Sequence, residues 1–200
     1  DGHDCRLSGS QRRWFDRHLK NDDNESHDHP VKLFVMGTGD GRRNKDGRLV
    51  HGGYWTEATA WPLPDAEMVP FYFHADGSLT PESPAVRQSS TTYTFDPAHP
   101  VPTLGGTVSS RVKAGAFNQR ERSDFHGSQL PYLPLSARSD VLVFQTEPLE
   151  KDVVVIGPIE VVLFASSTAV DTDFTAKLVD VYPPSEDFPS GFDMNISDAL

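Results

Sequence analysis

Cysteine is almost absent from this sequence, since Cys5 is the single cysteine among 200 residues. An internal disulfide framework is therefore excluded. Because disulfides are typical of oxidising compartments, their absence favours the cytoplasm. Long apolar runs are also missing, because no stretch approaches the ~18 residues that read as a membrane-spanning helix. No apolar leader segment opens the chain. These absences predict a chain that does not span a membrane.

Positive charge is scarce as well. Asp and Glu number 29 against 18 for Lys and Arg, which gives a formal charge of −11. Such a chain repels nucleic-acid phosphates and anionic lipid surfaces on average. What is abundant is Pro (16) and Gly (15), beside an apolar share of only 36%. This composition is typical of short strands joined by ordered turns, and it predicts a mainly β fold without a nucleic-acid or membrane partner.

The clearest strand pattern lies in residues 159–182, where apolar side chains alternate with others at period two on either side of a Ser/Thr/Asp segment. Alternation of this kind, rich in β-branched and aromatic residues, predicts two successive strands joined by a polar turn. Comparable runs predict further strands at residues 31–36, 71–73, 91–95, 140–146 and 153–156.

One helix is predicted near the N-terminus, capped by Ser8 or Ser10 and running to about Lys20. Trp14 and Phe15 lie on its apolar stripe, because each has an i,i+4 neighbour there. A lone helix this short is marginal in water, so both rings need a surface to pack on. That surface is either the β-domain or a part of the protein outside these residues.

Candidate metal ligands occur in two places. His27 and His29 lie in an aperiodic segment, and no third ligand stands at a fixed spacing from them, which favours a solvated loop over a metal site. Asp171 and Asp173 could form a calcium site or an acid/base pair, but their Ser/Thr neighbours favour a turn. We therefore predict no metal centre and no cofactor.

The sequence contains no recognisable catalytic motif. No serine stands in a Gly-x-Ser-x-Gly elbow, Cys5 has no neighbouring base in sequence, and the histidines other than His27 and His29 are scattered singly. The residues alone therefore predict a β-rich domain without an autonomous active site.

Two further features leave alternatives open. Gly105 and Gly106 follow a proline-rich connector and form either a bulge or a loop lining a pocket. Trp55 and Trp61 are either hydrophobic plugs over a sheet edge or a stacking platform for a sugar or aromatic ligand. The charge cluster at residues 118–124 predicts a solvated face.

Six segments, in order over nearly the whole chain, resemble the cocaine-esterase-like hydrolases that carry the Xaa-Pro dipeptidyl-peptidase C-terminal domain. They are WFDRHL (14–19), VKLFVMG (31–37), WPLP (61–64), YTFDPAHPVPTLGG (93–106), RSDVLVFQTEPL (138–149) and SSTAVDTDFTAKLVDVYP (166–183). The resemblance implies an α/β-hydrolase domain with a Ser-His-Asp triad, joined to a C-terminal jelly-roll β-sandwich of the galactose-binding-like type.

On this resemblance the chain is expected to be an internal fragment. Residues 1–22 would be the remnant of the last hydrolase helix, 23–30 a linker, and 31–200 the jelly roll, cut before its final strands. The triad is expected upstream of residue 1, and His3 lies too close to Trp14 to take the role of the family histidine. No catalytic residue is therefore expected in this chain.

The parent protein is expected to hydrolyse ester or amide bonds, in acyl or Xaa-Pro peptide substrates, through an acyl-enzyme, while this chain alone is expected to be inactive. Its expected partner is its own hydrolase domain, with a homo-oligomer also possible. Domain docking is assigned to Trp14, Phe15 and Trp55. The substrate-pocket border is assigned to Gly105, Gly106, Thr107, Val108, Ser109 and Ser110.

Two alternatives belong to other functional classes. A carbohydrate-binding module would use Trp55, Trp61 and the Asp171/Asp173 pair. A purely structural β-sandwich would pack on the hydrolase and mediate oligomerisation.

Overall fold

The computed structural model describes residues 7–22, 29–85, 90–105 and 116–199. These ranges contain one α-helix, one short 3-10 helix (Leu135–Ala137) and six strands, all of them short. The elements are α1 (Leu7–Lys20), β1 (Val31–Val35), β2 (Tyr54–Ala58), β3 (Tyr72–Phe73), β4 (Leu79–Thr80), β5 (Ala176–Tyr182) and β6 (Phe192–Ala199). The predicted mainly β class with one short helix is confirmed.

Helix α1 is supported along one side by charges at i,i+4 spacing. The Asp16 carboxylate accepts hydrogen bonds from Lys20 Nζ at 2.6 Å and from Arg12 Nε at 3.4 Å. Basic residues also fill its last turn, where they complement the helix dipole. The helix begins at Leu7, so Ser8 and Ser10 lie inside its first turns and not before it. It makes no contact with any strand of the described part.

Two antiparallel hairpins follow the helix in the chain. Strand β1 pairs with β2, with Val31 opposite Ala58 and Val35 opposite Tyr54. The two-residue strands β3 and β4 pair around the turn that the sequence predicts at Asp76 and Gly77. Gln145 extends this second hairpin, because its N–H donates to the carbonyl of Gly77 at 3.0 Å and its carbonyl accepts from the Leu79 N–H at 2.9 Å.

The core of the described residues lies on the third hairpin, in which β5 pairs with β6 and Tyr182 stands opposite Phe192. Both rings are buried with Leu49 and Met194, and the partly buried Phe188 packs against them. Burying large apolar and aromatic side chains is the main favourable term in folding, so this cluster fixes the hairpin.

The order of strands in a jelly roll stays a prediction. The described strands form three separate two-stranded sheets, and no ladder joins one of these sheets to another. The boundaries at residues 22 and 30 likewise stay predictions, although α1 does end at Lys20. No helix in the described ranges is long and apolar enough to cross a membrane.

The strand predicted at residues 159–165 is wrong for this structure. The segment has no regular secondary structure, and Val162 and Phe164 are exposed, Phe164 fully so. A strand forms only where a second chain segment completes its hydrogen-bond ladder, and no described segment pairs with this one. For the same reason the strands predicted at 91–95, 140–146 and 153–156 are missing, except that Gln145 bridges to Ser78.

Candidate functional site

The start of the predicted pocket border, Gly105, is a buried turn. Its φ is +84°, which disfavours residues that carry a Cβ. A Cβ built there would lie 2.5 Å from Cγ of the Phe117 ring, which is far inside van der Waals contact. Leu104 beside it is fully buried. The glycine is therefore required both by the backbone conformation and by the close approach of Phe117.

Gln119 ties this turn to the rest of the domain. Its side chain is only 4% exposed, and its Nε2 donates to the Leu104 carbonyl at 2.8 Å. Its backbone is fixed as well, because its N–H donates to the Asp193 carbonyl of β6 at 2.9 Å and its carbonyl accepts from the Leu135 N–H at 2.8 Å. One residue thus joins the Leu104 turn, β6 and the 3-10 helix.

The remaining residues assigned to the pocket border lie outside the described part of the structure. They are Gly106, Thr107, Val108, Ser109 and Ser110. The assignment of a pocket border to them stays a prediction.

The solvated face predicted at residues 118–124 is wrong for two of its members. Gln119 and Glu121 are buried, while Arg122 and Asp124 are exposed. The density of charge predicts a solvated face, and no apolar alternation marks this segment, because the buried residues Gln119 and Glu121 are themselves polar.

A partly buried charge network surrounds Arg138. Its Nε and Nη2 donate to the two carboxylate oxygens of Asp140 at 2.8 and 2.7 Å, and its Nη1 lies 3.6 Å from Glu121 Oε1. Nη2 also donates to the His99 carbonyl at 2.7 Å. The paired guanidinium lowers the pKa of Asp140, and the two carboxylates raise the pKa of Arg138. The network fastens the proline-rich connector to the 3-10 helix.

An open cleft adjoins this network. His99 Nδ1 lies 2.8 Å from Asp96 Oδ2, and this hydrogen bond lowers the pKa of Asp96. The cleft is lined by Thr94, Asp96, His99, Arg138, Ser139 and Asp140. The charged groups that line the cleft pair with one another. We therefore interpret the cleft as a contact between two segments of the chain.

The residues assigned to domain docking are all exposed. On α1, Trp14 is 57% exposed and packs edge-on against Phe15, with 5.0 Å between ring centroids. On β2, Trp55 packs against Phe34 at 5.3 Å, and Lys32 Nζ lies 5.9 Å from its ring centroid. The two groups therefore present aromatic surface to solvent at separate elements.

Three titratable groups accompany the β5–β6 core, of which Tyr182 is buried and Asp180 and Asp193 are partly buried. Burial raises the pKa of Asp180 and of Asp193, and it raises the pKa of Tyr182 to about 12. The neighbouring Asp180 carboxylate also raises the pKa of Tyr182, and the Tyr182 hydroxyl donates to the Gly37 carbonyl at 3.5 Å. Loss of solvent on burial is thus the main cause of the raised pKa values in this hairpin.

Candidate metal ligands are not brought together in the part of the chain that the structure describes. It holds no group of three or more His, Cys, Asp or Glu side chains placed to bind a metal ion. Asp171 and Asp173 are exposed and precede β5. His27 lies outside the described ranges, and His29 lies 3.7 Å from Glu57.

Comparison with known proteins gives two matches. Residues 24–200 match the family of the X-Pro dipeptidyl-peptidase C-terminal non-catalytic domain. The chain is also 38% identical, over 180 residues, to cocaine esterase from Rhodococcus sp. (strain MB1 Bresler). That alignment covers 85% of this chain but only 27% of the esterase. No solved structure matches the chain.

Proposed function

This chain belongs to the family of X-Pro dipeptidyl-peptidase C-terminal non-catalytic domains, and from that premise we propose that it is the accessory C-terminal domain of a hydrolase. The family match over residues 24–200 is the observation that carries the proposal. The similarity to cocaine esterase supports a parent that cleaves ester bonds, and the name of the matching family supports Xaa-Pro peptide bonds as the alternative substrate class.

The chemistry of the parent is proposed to be acyl transfer by a Ser-His-Asp triad that lies outside this chain. A histidine accepts the serine proton, the serine oxygen attacks the carbonyl carbon, and the alcohol or amine leaves with that proton. Water, deprotonated by the same histidine, then attacks the acyl-enzyme, which releases the acid and returns the proton to the serine oxygen. Hydrogen-bond donors stabilise the oxyanion that forms in each step. The residues of this chain take no part in proton transfer.

Docking on the hydrolase domain is the proposed role of the exposed aromatic residues. A helix as short as α1 is marginal in water without a packing surface, and α1 contacts no strand in the described ranges. Its Trp14 and Phe15 would bury large apolar area against the hydrolase domain, whose last helix α1 is proposed to be. Trp55, on the β1–β2 hairpin, offers a second contact.

A jelly roll over residues 31–200 is proposed to complete its sheets with other parts of the parent protein. The support is the exposed apolar segment at residues 159–164, whose backbone pairs with no described strand. An unpaired apolar strand segment is a template for pairing with further chain.

Hydrolysis assays test the proposed function. We expect the complete protein to cleave p-nitrophenyl acetate or a Xaa-Pro p-nitroanilide, because it contains the triad. Residues 1–200 alone should release nitrophenol or nitroaniline no faster than buffer does. A complete protein inactive on both substrate classes would contradict a hydrolase parent, and activity in the isolated chain would contradict its accessory role.

A further inference from the structure

Three acceptor side chains without a hydrogen-bond donor lie together beside β6. Gln119 Oε1 and Asn195 Oδ1 are buried atoms, and neither has a hydrogen-bond partner in the described ranges. The third acceptor is the carboxylate of Asp193. Burial raises its pKa and the charge of Arg120 lowers it, and no hydrogen bond contributes to the balance. The three groups thus offer oxygen atoms only.

The backbone brings these three residues to one face of the sheet. The Gln119 N–H donates to the Asp193 carbonyl at 2.9 Å. The Asn195 N–H donates to the Phe117 carbonyl at 3.0 Å, on the other side of the antiparallel bridge at Met194. In this register Gln119 stands opposite Asp193, with Asn195 two residues further along β6. Because side chains alternate along a strand, all three project on the face away from the buried Met194.

The amide of Gln119 is fixed with its oxygen unpaired. Its Nε2 donates to the Leu104 carbonyl at 2.8 Å, and the side chain is only 4% exposed. Turning the amide over would place its oxygen against that carbonyl, and two acceptors cannot pair. Buried acceptors without a donor cost free energy, so these oxygens favour an electropositive occupant.

A hard cation can satisfy all three oxygen groups at once. Ca²⁺ takes about six to eight oxygen ligands from carboxylates, amide carbonyls and water in a flexible geometry, whereas Mg²⁺ requires a near-ideal octahedron and keeps several waters. The nearby Arg120 is not a substitute, because its Nη1 donates to the Tyr132 carbonyl at 3.1 Å. One carboxylate with two amides therefore suits a calcium-type ion.

We propose that Asp193, Asn195 and Gln119 bind a calcium-type cation through their side-chain oxygens, with water as the remaining ligands. Such an ion would join β6 to the segment at residues 117–121 and stabilise both. The inference does not rest on the proposed hydrolase activity. Amide ligands have no sequence signature of their own, which is why the sequence predicts no metal centre here.

Hydrogen exchange of the complete protein tests the site, with CaCl2 as the probe. A single carboxylate predicts weak affinity, with Kd about 1 mM. At about 10 mM CaCl2, exchange in residues 117–121 and 192–199 should slow about tenfold, because an ion that binds only the closed state suppresses opening by the factor 1 + [L]/Kd. MgCl2 at the same concentration should slow it by less than about twofold.

Asp193→Asn should abolish the calcium effect. The matched control is Asp180→Asn, because Asp180 is also partly buried and burial also raises its pKa, but it stands opposite Met194 on the core face. This control should keep the tenfold slowing. No slowing by calcium in the wild-type protein, or equal slowing in the wild type and Asp193→Asn, would overturn the site.

A gain of affinity provides a second test, which also serves if Asp193→Asn does not fold. Asn195→Asp adds a carboxylate to the ligand set, so the CaCl2 concentration for half-maximal slowing should fall about tenfold. An unchanged or higher concentration would overturn the proposal. Since the readout is independent of hydrolysis, failure of this site and failure of the proposed function are distinguishable.

Discussion

Replacing Arg138 with methionine should lower the free energy of local opening around residues 118–140 by about 2–3 kcal/mol, because hydrogen bonds between charged groups contribute on this scale. Methionine leaves the Asp140 and Glu121 carboxylates without their shared cation, and the side chains of Arg138 and Asp140 are only 20% and 9% exposed. Removing one partner of a shielded pair leaves an uncompensated charge. Hydrogen exchange of peptides from this region, in the complete protein, measures the loss.

The control is Arg122→Met, because Arg122 pairs with Asp124 while both side chains are 59% exposed. Exposed pairs contribute little, so this variant should change local opening by less than about 0.5 kcal/mol. Equal effects from the two variants would contradict the claim that the Arg138 network holds this region together.

The same network has a pH signature. The folded-state pKa of Asp140 is depressed by Arg138, so its stabilisation is present above the ordinary aspartate pKa of about 3.9 and is lost as pH falls through the lowered value. Burial raises the pKa of Asp180 and Asp193, so their contribution is present below the ordinary value and is lost as pH rises through the raised values.

Acidification from about pH 6 to about pH 3 should therefore change local stability in opposite directions in two parts of the chain. Hydrogen exchange, corrected for intrinsic exchange rates, measures both changes. Protonation of Asp140 should weaken protection from exchange at residues 118–140. Protonation of Asp180 and Asp193 should strengthen protection at residues 176–199. Arg138→Met should flatten the first trend and leave the second unchanged. A wild-type trend of the same sign in both regions would show that these carboxyl groups do not control local stability.

Trp14→Ser should lower the stability of the complete protein by about 2 kcal/mol or more, the scale of an aromatic residue at the centre of an interface. The reason is that Trp14, 57% exposed in the present chain, is proposed to be buried against the hydrolase domain. Urea denaturation of the complete protein measures the change.

Trp61→Ser is the matched control, since Trp61 is 52% exposed and has no proposed docking role. We expect its effect to stay within about 0.5 kcal/mol, as for surface substitutions in general. Docking through α1 would be contradicted if serine at position 14 were tolerated as well as serine at position 61.

The local sequence pattern was sufficient to predict elements whose backbone hydrogen-bond partners lie close in sequence. The i,i+4 pairs predict α1, and the structure places it at Leu7–Lys20. The run at residues 31–36 predicts β1, which pairs with a strand only about twenty residues away in the chain, a distance that a hairpin connection spans. In both cases the partners of the backbone lie close in sequence.

Periodicity failed where a strand depends on a distant partner. Residues 159–165 alternate as a strand does, but no second segment of the described chain pairs with them. The later half of the same stretch, Ala176–Tyr182, is a strand because β6 follows within ten residues and pairs with it. Composition and alternation describe one strand only, whereas a ladder requires two.

The candidate site was predicted in part. The Gly105–Gly106 pair suggested a special backbone position, and Gly105 does adopt positive φ. Gln119 was missed because a buried amide surrounded by charges has no distinctive sequence pattern. Its partner, the Leu104 carbonyl, stands fifteen residues away and is set by tertiary packing.

We propose that this chain is the accessory, non-catalytic part of a serine hydrolase. A fluorophosphonate probe tests it most directly, because such probes bond covalently to a serine that a neighbouring base activates. After labelling of the complete protein and peptide mapping by mass spectrometry, we expect the label on one serine that precedes residue 1. A label on any serine within residues 1–200, or none on the protein, would contradict the claim.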